Sequence, residues 1–350
     1  MNISVSRFSL CLLTMALMLN SCIIKKNLPQ ERNRYALSNE QRKPQPVPKV
    51  IGADISFLPE LEAKSMQFKV DGVEKDAIQL LKENGFNYIR LRLFVNPAAD
   101  SGYSPGKGFC DLEHTLQMAK RIKAAGLGFL LDFHYSDYWA DPGKQYKPQS
   151  WKGLDFPALQ EALYRHTFDV MNALKQQNTL PDMVQCGNEI NNGMVWPDGN
   201  IDNPDQLAAL IRSGTKAVKD VELRTIMMLH IALGGQHEES KYFLDQMLSR
   251  DVHFDVIGQS YYPEWHKTIP DLQANLNALA TEYKKDIIVV EYSEKKKEVN
   301  EVAFNLPFSH GKGTMIWEPL NTWEKLFDEN GNANELLKLY PVFHEKYLEK

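Results

Sequence analysis

The sequence predicts a single (β/α)8 barrel of the α/β class, and three observations carry that expectation. Short apolar runs alternate with amphipathic helical patterns eight times along the chain, the arrangement of a closed parallel barrel rather than an open sheet. Two of those runs end in a glutamate, Val184-Gln-Cys-Gly-Asn-Glu-Ile-Asn191 and Ile287-Ile-Val-Val-Glu-Tyr292. A buried parallel strand presents a functional carboxylate in this way, at its carboxyl end. All six tryptophans (Trp139, Trp151, Trp196, Trp265, Trp317, Trp323) fall at or after a strand end and none within a helix. In a barrel such positions converge on the one face that carries active sites.

The elements follow in order. Val50 to Asp54 reads as the first strand, and Asp76 opens a helix stopped by Gly85. Tyr88 to Phe94 is the second strand; Asp111 then caps a helix running to Ala125 and ended by Gly126. Phe129 to Phe133 is the third strand, followed by a long loop to Asp155, which caps a helix over Pro157 to Lys175. Met183 to Asn188 is the fourth, and Asn203 with Pro204 opens the next helix. Thr225 to His230 and Val256 to Ser260 are the fifth and sixth. A helix begins near Thr268 and Pro270, Ile287 to Glu291 is the seventh strand, and Gly313 to Trp317 the eighth. Glu189 and Glu291 lie roughly 100 residues apart, about three βα units of roughly 30 residues each, which suits strands four and seven.

The chain has 350 residues and does not begin with the fold. Residues 1–21 read as a lipoprotein signal peptide: Arg7 is basic, Phe8 to Leu19 is apolar but too short to span a bilayer, and Leu19-Asn20-Ser21-Cys22 resembles a lipobox. Cys22 would become the lipidated first residue. Residues 22–48, rich in Lys, Arg, Gln, Asn and Pro, cannot bury a core and read as a flexible tether. Residues 49–350 form the barrel, a length within the range of one core. The expected location is the cell envelope, lipid-anchored at the outer membrane or cell surface, with a monomeric barrel that meets the membrane only through the anchor. Net charge is −5, and one unit more negative once Arg7 has left, which gives nucleic acid no reason to bind. Of four cysteines, Cys110 and Cys186 remain in the barrel. Alternation points Cys186 outward under a helix and Cys110 sits at a distant helix start, so they are not expected to pair.

Two glutamates on strands four and seven fit a retaining glycosidase, which sets one carboxyl as acid/base and another as nucleophile across a glycosidic bond. Tryptophans interleaved with polar side chains suit a sugar, whose C–H faces stack on rings while its hydroxyls seek hydrogen bonds. Strand-end polar residues join the same face: Asp54, Arg90, Arg92, Asp132, His134, His230, Gln259, and Tyr261 or Tyr262. Arg90 and Arg92 share a face by alternation, and one of them is placed to hold the nucleophile ionised. Asp132, His134 and His230 lack the close spacing of a metal motif, and no metal or cofactor is expected.

With these residues in view, the chain resembles glycoside hydrolase family 53, the endo-β-1,4-galactanases, within a large retaining clan. The resemblance runs through Gly52-Ala-Asp-Ile-Ser56, Leu58-Pro-Glu-Leu-Glu62, Ile89-Arg-Leu-Arg-Leu93 to Asn96-Pro97, and Leu131-Asp-Phe-His-Tyr-Ser-Asp-Tyr-Trp-Ala-Asp-Pro-Gly-Lys144. It continues in Gly187-Asn-Glu-Ile-Asn191, Phe254-Asp-Val-Ile-Gly-Gln-Ser-Tyr-Tyr-Pro263, Val289-Val-Glu291 and Ile316-Trp-Glu-Pro319. It implies hydrolysis of β-1,4-galactan, the pectin side chain, with Glu189 as acid/base and Glu291 as nucleophile. Asn188 would meet the substrate 2-hydroxyl, Arg90 or Arg92 and Tyr261 or Tyr262 would support Glu291, and Trp317 would floor the central subsite. Asp132, His134, Asp137 and Trp139 fall where the family's binding loop lies. A mannan-type β-1,4-glycanase and a catalytically inactive glycan-binding lipoprotein are the alternatives. After Glu291 the chain departs from the family, with a short charged loop in place of a long calcium-binding one; that segment is expected to start a short helix and to hold no calcium.

Overall fold

The computed structural model describes residues 45–320 and 325–349. The expected signal peptide, Cys22, most of the tether and Trp323 lie outside them. Eight strands close into an all-parallel barrel: β1 (Val50–Asp54), β2 (Tyr88–Leu93), β3 (Gly128–Phe133), β4 (Met183–Cys186), β5 (Ile226–Ile231), β6 (Val256–Tyr261), β7 (Asp286–Tyr292) and β8 (Gly311–Trp317). Each strand pairs with its neighbours in sequence and β8 returns to β1. Between and after them run α1 (Ala77–Glu83), α2 (Leu112–Ala124), α3 (Phe156–Gln176), α4 (Pro204–Val221), α5 (His237–Leu248), α6 (Ile269–Tyr283), α7 (Lys296–Phe304) and α8 (Leu339–Tyr347). The expected caps act as caps: Asp76, Asp111 and Asp155 accept backbone N–H groups of the first turn, and Thr268 forms a capping box with Asp271.

Alternation along each strand builds two cores. Outward residues such as Ile51, Ile89, Leu131, Val184, Val289 and Ile316 pack under the helices. Inward residues at the strand starts, among them Val50, Tyr88, Leu130, Met183, Val256, Ile288 and Met315, fill the barrel itself. Methionines cross this interior where glycine leaves room: a Cβ on Gly52 would lie 2.7 Å from Met315 and one on Gly258 2.7 Å from Met228. Further along each strand the inward positions turn polar, giving Asp54, Arg90 and Arg92, Asp132, Gln185, His230 and Ser260 in succession around the ring, all buried. The apolar plug thus supports a polar layer at the carboxyl-terminal mouth.

Four details differ from the expectation. Strand four stops at Cys186, because Gly187 at φ +106° turns the chain, so Asn188 and Glu189 belong to the loop above it. Strand eight starts at Gly311 rather than Gly313. Helix α5 carries no side-chain cap, which leaves its start without a sequence signal. A hairpin of Phe68–Val70 and Val73–Lys75 turns at Asp71-Gly72, both at positive φ, the residue pair such a tight turn favours.

Candidate active site

Glu291 owes its direction to an irregularity in β7. Ile288 and Val290 both point into the barrel, so strict alternation would send Glu291 outward beside Val289. Instead the register slips on both sides of the strand. Gln259 of β6 faces Val289 and Ser260 faces Glu291, while on β8 Thr314 faces Val289 and Ile316 faces Tyr292. The one extra residue is a β-bulge, and it re-aims Glu291 into the mouth. There Oε1 meets Arg90 Nη1 at 2.8 Å and Oε2 accepts the Tyr262 hydroxyl at 3.1 Å.

Arg90 organises the layer beneath. Nη1 also reaches Asp54 (2.9 Å), Nη2 reaches Asp132 (2.8 Å) and Asn188 Oδ1 (2.8 Å), and Nε reaches Gln185 Oε1 (3.0 Å). All five N–H donors of the guanidinium therefore have acceptors, which a fully buried cation requires if its lost hydration is to be offset. Asp54, Asp132 and His230 are part of this support and do not line the cavity.

Glu189 follows the turn at Gly187 and itself adopts a left-handed backbone, φ +48°, a conformation uncommon for a residue with a side chain that recurs at functional positions as well as at turns. Gln145 fixes the turn by donating to the carbonyl of Asn188 at 2.8 Å. The carboxyl receives a hydrogen bond with a traceable origin. Gln185 Oε1 accepts from Arg90, so its amide nitrogen donates to His230 Nδ1 at 2.9 Å. Glu189 N–H also approaches Nδ1, at 3.4 Å. Asn188 Oδ1 lies 3.0 Å away but already accepts from Arg90, so the two amide donors set the tautomer, with the ring proton on Nε2. Nε2 then donates to Ser260 Oγ at 2.8 Å, and Ser260 donates to Glu189 Oε1 at 2.6 Å. Burial and the neighbouring Arg90 cation keep His230 well below the usual histidine range, so it stays neutral in this relay.

The two carboxyls are set apart by their partners. Burial, and then the charge of Glu291, push Glu189 well above the usual carboxyl range. Burial raises Glu291 too, but the Arg90 cation opposes it directly. One group therefore has a hydroxyl donor and a reason to keep its proton, and the other has a guanidinium and a reason to lose it. Removing the Ser260 hydroxyl takes away a donor that favours the ionised form of Glu189. Ser260→Ala should move the basic limb of the kcat/KM profile to higher pH and lower kcat roughly tenfold, the scale of a hydrogen bond of about 1.5 kcal/mol to a charged group. A pH profile with an unmoved basic limb would remove Ser260 from this role.

Both glutamates line one cavity of about 640 Å³ together with Arg90, Arg92, His134, Trp139, Asn188, Tyr262 and Trp317. Arg92 does not touch Glu291. It pairs with Glu318 and lies between the rings of Phe57 and Trp139, 4.4 and 4.5 Å from their centroids, which stiffens the aromatic wall beside Trp317. His134 is held between Asp132 and the backbone N–H of Ala140. Trp265 extends the wall on the far side of Tyr262.

Three expected residues sit elsewhere: Gln259 turns outward, its amide nitrogen 3.4 Å from Ser240 Oγ on α5, and Tyr261 and Asp137 are the other two. Tyr261 points outward by alternation, donates to the Lys267 carbonyl and packs in the outer core, so Tyr262 is the partner of Glu291. Asp137 spends its carboxylate on the backbone N–H groups of Asn96 and Gln149 and faces a different cavity. Trp151 is buried against Tyr135 and His166. Cys110 and Cys186 are both buried free thiols. Among the described residues no cluster of three or more histidine, cysteine or acidic side chains is placed to hold a metal ion. Sequence reasoning passed over Gln185, Ser260, Glu318 and Phe57; for Gln185 and Ser260 the inward alternation from Met183 and Val256 was the available signal.

Comparison with known proteins agrees with this geometry. The sequence profile described as glycosyl hydrolase family 53 matches residues 50–305. An arabinogalactan endo-β-1,4-galactanase A of Emericella nidulans is 39% identical over 249 residues, covering 69% of each chain. The solved catalytic domain from Ignisphaera aggregans, described by the same family number, superposes with a TM-score of 0.80 at 33% identity over 86% of this chain and 99% of that one. A structure of fungal β-1,4-galactanases gives a TM-score of 0.75 at 30% identity over 84% and 98%.

Proposed function

Because the chain belongs to glycosyl hydrolase family 53, we propose the following reading of its site: the protein is a glycoside hydrolase, an endo-β-1,4-galactanase that cuts its substrate with retention of configuration. The observation that carries the chemistry is the pair of buried carboxyls, one in the loop after strand four and one at the end of strand seven, the first bonded to Ser260 and the second to Arg90 and Tyr262. Glu291 attacks the anomeric carbon and forms a bond to it as the glycosidic C–O bond breaks. Glu189 gives its proton to the departing oxygen; since Oε1 accepts from Ser260, the proton is delivered from Oε2. In the second half Glu189, now ionised, takes a proton from water, whose oxygen bonds to the anomeric carbon as Glu291 leaves. Tyr262 keeps its phenolic proton throughout, because burial and the two glutamates hold it well above the usual tyrosine range. In this reading Asn188 meets the 2-hydroxyl and Trp317 and Trp139 stack on the sugar rings, which is supported by all three lining the cavity that holds both glutamates. Reducing-sugar release from potato galactan, mannan and xylan tests the substrate: galactan should be cut, with mannan and xylan at background. Cleavage of mannan in preference to galactan would overturn it.

We also propose that Cys22 is lipidated and anchors the barrel at the cell envelope, a reading supported by the lipobox and the polar tether. Cys22→Ala should move the protein from the membrane fraction to a soluble one, or stall its processing, with the barrel's melting temperature unchanged. Membrane association that survives this change would remove the anchor.

The segment after β7 supports the expected departure from the family. Lys296–Phe304 forms α7, though not with a wholly solvated start: Lys296 is buried and its Nζ donates to the Ser293 carbonyl. That buried ammonium near the loop disfavours a divalent cation there. EDTA should leave melting temperature and activity unchanged; a fall of several degrees that calcium restores would contradict this.

A further inference from the structure

The loop between β3 and α3 has two working faces. Trp139, Asp141 and Lys144 line the catalytic cavity, while Asp137, Tyr138, Tyr146 and Gln149 line a second cavity of about 510 Å³, closed on its other side by Trp196. Tyr138 is 41% exposed and Tyr146 56%, so two rings of the described residues' few exposed large apolar groups stand at one site. The platform is held in place. Asp137 ties the loop to Asn96 and Gln149. Tyr146 bridges to Trp196, whose backbone N–H donates to the Gln145 carbonyl and whose indole N–H donates to the Asn192 carbonyl. Of the two cations at this site, Lys147 pairs with Asp198, while Lys152 donates to the neutral Gln149 amide oxygen and keeps its charge. What is left is aromatic surface ringed with hydrogen-bonding groups, with the Lys152 cation and the Asp137 carboxylate on the same lining, so no excess of one charge selects an ionic ligand and the rings suit a neutral polyol with C–H faces.

We infer that the cavity of Tyr138, Tyr146 and Trp196 is a second, non-catalytic binding site for the neutral β-1,4-linked galactan chain, a proposal that rests on the galactanase reading above. The wall between the two cavities is one loop thick, so a polymer engaged in the cleft has further residues of the same chain close at hand. A second contact with one polymer adds effective concentration, which a short oligosaccharide that fits within the cleft does not gain. The site therefore acts on polymer KM and leaves kcat alone.

The test uses Tyr138→Ala/Tyr146→Ala, with Trp196 kept because it braces the loop, and Tyr146→Ala alone as the milder change. In gels cast with potato galactan, and in a Glu291→Ala background so that the polymer survives, retardation should fall sharply with the double change. In the active enzyme KM for galactan should rise about tenfold, with kcat and the kinetics on β-1,4-galactotetraose unchanged. Retardation and polymer KM equal to those of the parent would overturn the site. So would a loss on the tetraose as large as on the polymer, since that assigns the tyrosines to the cleft or to its support. A wild-type protein retarded by galactan but unable to cut it would instead overturn the catalytic reading and leave this site standing.

Discussion

Glu291→Ala should lower turnover of galactan by at least about 10⁴-fold, the several kcal/mol expected of a nucleophile whose removal closes the covalent route. The cavity left by the carboxylate still has Arg90 and Tyr262 facing it. Added formate or azide should restore part of the activity by placing a small anion there, and azide should yield the α-glycosyl azide because it attacks without a covalent intermediate. Glu189→Gln should be as damaging on galactan but far less so on an aryl galactoside whose leaving group needs no proton. That difference separates the roles, because Gln keeps the hydrogen bond from Ser260 and loses only the acid. If either variant kept more than about a tenth of wild-type turnover on galactan, a loss under roughly 1.4 kcal/mol, the corresponding assignment would fail.

Arg90→Ala should have the largest effect on the fold itself. The guanidinium pairs with Asp54, Asp132 and Glu291 at once, and all three are buried. Deleting one partner of a buried ion pair leaves the other charge uncompensated at about 3–5 kcal/mol, and here three carboxylates would be left facing one another. Much of the protein's marginal stability would go, visible as a lowered denaturation midpoint or loss of soluble protein. Arg90→Lys keeps the charge but offers three donors from a point where five are satisfied in a fork, so it should restore much of the fold and little of the activity. A folded, fully active Arg90→Lys enzyme would show that the fork does not matter.

Much of this architecture was legible in the chain. The eight strands follow from the alternation of short apolar runs with helical patterns, and Asp76, Asp111, Asp155 and Thr268 announce their helices by capping chemistry. Glu189 and Glu291 were legible as a pair: either alone could be a strand-end carboxylate in a structural salt bridge, as Asp54 and Glu318 are, but two at the spacing of strands four and seven fit one chemistry. The finer site was not. Arg90 and Arg92 share a face by periodicity, so only their depth in the barrel decides that Arg90 reaches Glu291 while Arg92 reaches Glu318. The choice of Tyr262 over Tyr261 depends on alternation from Val256, which a two-residue ambiguity at the strand end obscures. The bulge in β7 leaves no trace in Ile-Ile-Val-Val-Glu, since it is defined by the neighbouring strands rather than by its own residues. Ser260 looked like an ordinary strand serine; its role arises from His230 and Gln185, contributed by two other strands.

Covalent trapping tests the central claim, that Glu291 is the nucleophile of a retaining galactanase, most directly. Incubation with a 2-deoxy-2-fluoro-β-galactobioside bearing an activated leaving group should inactivate the enzyme and add one glycosyl mass to the intact protein. Peptide mapping should place that mass on Glu291, and Glu291→Ala should not be labelled. Slow turnover without any adduct, or an adduct on Glu189 or another residue, would contradict the assignment of Glu291 and the mechanism built on it.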